Sequence, residues 1–127
     1  MKTRMLALAG VALLLGACGG NDAKQCASND VKAQLVNIFT SGPLIGRGDL
    51  FKDASLGDVA VVTKDPASGV LSCVGTLDVG LGQRKVKGVL EYRIAPAAAS
   101  DHDYLLLDTN AERANAFAQR LVQVFPN

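Results

Sequence analysis

The stretch VLSCVGTLDVGLGQRKVKGVLEYRI, residues 70–94, decides the fold. Apolar and polar residues alternate on both sides of Gly80-Leu81-Gly82-Gln83. A period of two marks a half-buried strand, and a glycine-rich break between two such runs marks a hairpin turn. Val70 to Val79 is expected to be one strand, with Leu71, Cys73, Leu77 and Val79 facing a core. Arg84 to Ile94 is the next, with Val86, Leu90, Tyr92 and Ile94 facing the same way. Gly88 interrupts that apolar row, which implies a bulge or a close approach by a helix. A two-stranded ribbon is not stable alone and needs more strands and a covering layer.

Both are present in the flanking sequence. Asp58 to Lys64 reads as a strand with Val59 and Val61 on one face, and Asp65-Pro66-Ala67-Ser68-Gly69 as the turn that follows it. Tyr104 to Asp108 is a short fourth strand after the Ala-rich loop 96–101. Upstream, Ser28 or Asn29 suits an N-cap; Val31, Leu35, Ile38 and Phe39 recur at helical spacing until Thr40-Ser41-Gly42-Pro43 stops the helix. Downstream, Thr109 and Glu112 have capping-box spacing, and Ala114, Phe117, Ala118, Leu121 and Phe125 form a second helical stripe ended by Pro126. Helix, antiparallel meander of about four strands and helix make an α+β two-layer sandwich. The arrangement resembles cystatin-like architecture in outline, a likeness of fold that carries no function. Residues 43–57 are broken by Gly42, Gly46, Gly48 and Gly57 and read as a loop with one helical turn near Asp49 to Ala54. The Arg47-Gly48-Asp49 tripeptide within it is taken as chance.

The N-terminus has a different character. Lys2 and Arg4 precede an unbroken apolar run, Met5 to Leu15, followed by Gly16-Ala17-Cys18. A basic start, a short apolar stretch and small residues before a cut are the parts of a secretion signal; the run is too short to span a bilayer comfortably. Leu15-Gly16-Ala17-Cys18 resembles the lipobox of bacterial lipoprotein precursors. The resemblance implies that residues 1–17 are removed, that the Cys18 thiol is joined to diacylglycerol, and that the new N-terminus is acylated. Several acyl chains anchor far more firmly than one. Gly19, not Asp, follows the cysteine, which in enteric-type sorting implies the periplasmic side of the outer membrane, the inner membrane being the alternative. Residues 18–25 then form the lipidated cysteine and a tether, with a reach of about 25 Å over seven residues. Residues 26–127 form one small domain.

Processing changes the composition. The 127-residue chain has a net charge of +1; losing Lys2 and Arg4 turns 13 basic residues into 11 against 12 acidic ones, about −1. A near-neutral domain lacks the electrostatic footprint of a nucleic-acid binder. With Cys18 lipidated, Cys26 and Cys73 remain, and in an oxidising compartment such a pair is expected to join. The bond closes a loop of about 48 residues, worth roughly 4 kcal/mol in the chain-entropy model.

The chemistry-bearing residues are sparse. His102 stands alone between Asp101 and Asp103, reading as a solvated loop rather than a metal ligand. Ser68 and Ser72 lack the setting of a nucleophile. Glu91 is the only acid well inside an expected strand, Trp is absent, and Gly80, Gly82 and Gly88 do not form a phosphate loop. No catalytic residue, metal site or cofactor is expected. The surface feature is the outward row of the third strand, Lys85, Lys87, Glu91 and Arg93, which alternates with the core row. As a mainly basic face it suits an acidic protein partner. The expected function is therefore a non-enzymatic, membrane-anchored periplasmic protein-binding domain, an inhibitor or immunity protein against an envelope-attacking enzyme. The alternatives are an accessory subunit of an envelope secretion or assembly complex, and a small-ligand carrier.

Overall fold

In the computed structural model, residues 21–97 and 103–126 are described. The stretch read as a secretion signal, Cys18, Gly19 and His102 lie outside them. Four strands, β1 (Ser55–Lys64), β2 (Leu71–Leu81), β3 (Arg84–Pro96) and β4 (Tyr104–Thr109), form one antiparallel sheet in the order β1-β2-β3-β4. Helix α1 (Asn29–Thr40) precedes the sheet and α2 (Ala111–Val124) follows it. The expected α+β meander is the observed fold.

The inward rows meet the helices in one core. Val31, Leu35 and Phe39 of α1 and Ala114, Phe117, Ala118 and Leu121 of α2 are buried with Leu71, Leu77, Val79, Val86, Leu90, Tyr92 and Ile94. Phe39 joins the layers, edge-on to Phe117 with centroids 5.6 Å apart and stacked on Phe51 at 6.0 Å. Ile38 is only half-buried, because the stripe follows residues 31, 35 and 39 and leaves 38 at its margin.

β2 and β3 pair without a register shift from Leu71↔Ile94 to Leu81↔Arg84. The turn is thus only Gly82-Gln83, with Gly82 at φ +59°, a conformation favoured by glycine in tight hairpins. Gly88 is a close approach rather than a bulge. A β-carbon there would lie 2.2 Å from Phe117 Cδ1, so the missing side chain makes room for the ring. β1 begins at Ser55, earlier than expected: a bulge around Asp58, at φ +50°, lets the strand continue back through Gly57 to pair Ser55 with Asp78.

Two local expectations are corrected. Residues 21–26 are helical, with Ala27 N–H donating to Ala23 C=O, where a tether had been expected through residue 25. Ala23, Lys24 and Gln25 are good helix formers, and both ends of this turn are held on the sheet. Cys26 is disulfide-bonded to Cys73 with a Cα–Cα distance of 6.0 Å, and Asp22 lies 3.5 Å from Lys64 Nζ. The cap of α2 is Asn110, whose side chain accepts from Arg113 N–H, not Thr109. Thr109 is occupied as the last residue of β4, paired with Tyr92. The loop over residues 43–54 has the expected single helical turn, a 3-10 turn at Gly48–Phe51, with Leu44, Leu50, Phe51 and Ala54 buried around it. Arg47 pairs with Asp49 and donates to Phe125 C=O, so the tripeptide ties this segment to the end of α2.

Candidate functional site

The four residues singled out on β3 do share the solvent face of the sheet. They do not share a fate. Arg93 donates to the Asp108 carboxylate on β4, Nε to Oδ1 at 3.0 Å, and this hydrogen bond holds the Asp108 carboxyl below its ordinary range. Glu91 takes the guanidinium of Arg113 from α2. Lys85 and Lys87 are exposed and have no side-chain ion pair among the described residues. The basic character expected along the whole row is concentrated in its first half.

The length of β4 explains the split. β4 pairs with β3 only over residues 92–96, which leaves the edge of β3 from 84 to 91 without a neighbouring strand. Unpaired backbone groups at a sheet edge need other partners. Here α2, turning back directly after β4, supplies them. Asn110 N–H donates to Glu91 C=O at 2.8 Å, and Arg120 Nη1 donates to Lys87 C=O at 2.8 Å. Arg84 reaches the last turn of the helix and donates to Val124 C=O at 3.5 Å.

Between this edge and α2 runs an open groove of about 290 Å³. Lys87, Arg113 and Arg120 line its walls, and Gly88, Val89, Ala116 and Phe117 form its apolar part. Val89 is 46% exposed. Two acids on the sheet stand nearby: Glu91, matched by Arg113, and Asp78, opposite Lys87 in register, one of whose carboxylate oxygens is buried without a hydrogen-bond partner among the described residues. The site can therefore offer guanidinium and ammonium donors around a small apolar patch, the chemistry that receives carboxylates on a protein surface.

Arg113 and Arg120 escaped the sequence reading because they were assigned only to the polar side of their helix. Their spacing of seven residues places them on one face, and the six-residue β4 set against a thirteen-residue β3 was the signal that this face would meet a bare strand edge.

No family model, curated protein or solved structure matches the chain. Among the described residues, no group of three or more His, Cys, Asp or Glu is placed to hold a metal ion, and no helix is long and apolar enough to cross a membrane.

Proposed function

We propose that this chain is a lipid-anchored periplasmic binding protein that docks an acidic protein surface on the groove between β3 and α2. The observation that supports this reading is the set of cations Lys85, Lys87 and Arg120, free of carboxylate partners among the described residues, around exposed Val89 on a disulfide-bonded frame. A frame held rigid before binding loses little freedom on docking, which favours affinity. Charges around an interface act mainly on the association rate and its salt dependence. Within this class the best-supported role is an inhibitor or immunity protein against a secreted envelope-attacking enzyme, since a small stapled domain can block such an enzyme by occupying its face.

The test is capture from envelope and secreted extracts by the wild-type chain and by a Lys85→Glu/Lys87→Glu/Arg120→Glu variant, each checked for folding by circular dichroism. An acidic enzyme retained at equal stoichiometry by the wild type, inhibited by it, and bound on the order of tenfold or more weakly by the variant, about 1.4 kcal/mol or more, supports the proposal. A folded variant that captures the same protein equally well removes the groove from it. Retention of several envelope-complex subunits instead of one enzyme replaces the inhibitor role with an accessory one.

A further inference from the structure

The place where the chain enters the fold decides which end of the domain meets the membrane. Residues 21–26 are helical and lie against the end of the sheet where β1 passes into β2. Asp22 contacts Lys64, the last residue of β1, and Cys26 is bonded to Cys73, the third residue of β2. Tyr92 Oη adds a third hold, donating to Cys26 C=O at 2.6 Å in the core. In the sequence only residues 19 and 20 stand between Cys18 and this bound segment, a length of chain that reaches about 10 Å at most. The hairpin Leu81–Arg84 is at the other end of the sheet, ten residues along β2, roughly 33 Å away.

We infer that the β1–β2 turn, residues 65–69, is seated on the lipid headgroup layer and that the groove on β3 is held away from it. This rests on the reading of Cys18 as acylated. The surface at that end suits a headgroup layer. Asp65, Pro66, Ala67 and Ser68 are exposed and small, with Asp65 and Ser68 polar, and the turn is kept stiff by Asp65, whose side chain accepts from Ala67 N–H and whose own N–H donates to Val70 C=O. Lys64 is matched by Asp22, so the contact is set by the short leash and not by net charge. Lys87, opposite Asp78, stands roughly 23 Å along the strand from this end. An acidic partner in the periplasm meets the groove clear of the bilayer, and the leash holds the domain from turning it downward.

The experiment uses the full lipidated chain in vesicles of phosphatidylethanolamine and phosphatidylglycerol, some of the lipid carrying a nitroxide on its headgroup. A dye is placed on Ala67→Cys or on Gln83→Cys; Cys26 and Cys73 are bonded and buried and do not react. The expected result is quenching several-fold stronger at position 67 than at 83. A Gly/Ser spacer of about twenty residues inserted after Gly20, spanning roughly 25 Å, is expected to erase the difference. Equal quenching at both positions in a chain that co-floats with the vesicles overturns the orientation alone. A wild-type chain that does not co-float, with no acyl mass on Cys18, overturns the anchor and the orientation together.

Discussion

The two halves of β3 carry the same alternating pattern and present different surfaces. From Tyr92 to Ile94 the strand lies between β2 and β4, and the outward charges here, Arg93 and Glu91 just before β4's cover, are each matched by a neighbour. From Arg84 to Leu90 it has β2 on one side and a helix on the other, and Lys85 and Lys87 are left open. A sheet that narrows from four strands to three exchanges strand pairing for side-chain capping at the vacated edge. The cations that do the capping then become part of the surface. The groove is thus a consequence of β4 being short.

The largest effect is expected in the matched half, which holds the disulfide through Cys73, the cross-strand partner of Tyr92. A Cys26→Ser/Cys73→Ser chain should lose about 4 kcal/mol in urea unfolding relative to the oxidised protein, a large share of the stability of a small domain. Because much of this loss acts through the unfolded chain, molecules that remain folded should keep the groove and bind an acidic partner as before. Loss of binding in proportion to loss of stability would show that the two halves are one unit.

In the open half the sensitive position is Gly88. Alanine there sets a methyl group against the Phe117 ring. The expected cost is up to about 3 kcal/mol from overpacking, with α2 pushed off the strand edge and the bond from Arg120 to Lys87 C=O lost. Phe117→Leu in the same chain should recover part of the stability. A Gly88→Ala protein with wild-type unfolding would mean that the helix is not seated on this edge, and the account of the groove would fall with it.

Tyr92 tests the matched half more gently. Tyr92→Phe leaves Cys26 C=O in the core without its donor and should cost about 1–2 kcal/mol. Burial also raises the Tyr92 phenol well above its ordinary value. The contribution of a group raised on folding is complete below the unfolded value of about 10 and is lost as the pH climbs from there towards the folded one. The wild type should therefore lose stability above pH 10 more steeply than the Phe variant, read from unfolding curves across that range.

Residues 70–94 made the sheet legible because the inward row on each side of the turn is apolar except at Gly75 and Gly88, and the disulfide was legible from the count of cysteines left once one is assigned to lipid. Errors gathered where a residue answers to two claims. Thr109 has the side chain of an N-cap, but pairing with Tyr92 extends the strand through it and moves the cap to Asn110. Residues 21–25 lack a hydrophobic stripe, and long-range bonds from Asp22 and Cys26 hold them in a helix all the same. The site was half legible. Alternation put Lys85, Lys87, Glu91 and Arg93 on one face, but which charges stay open depends on Asp108, Arg113 and Arg120, brought there by tertiary contacts that periodicity along one strand does not contain.

The smallest expected effect sharpens that distinction between matched and open charge. The Arg93 hydrogen bond holds the Asp108 carboxyl low, so the pair's contribution is complete above the unfolded value of about 3.9 and is lost as the pH falls through the lower folded value. Both side chains are about half exposed, so water and salt screen the pair and the effect on stability should be slight. The stronger readout is charge. Asp108→Asn frees Arg93 and extends the open cationic surface into the second half of β3. An acidic partner should then bind the variant with a steeper salt dependence than the wild type, measured as affinity against ionic strength at neutral pH. An unchanged salt slope would mean that the partner does not reach beyond Val89, and the binding surface would be confined to the half of β3 that α2 flanks.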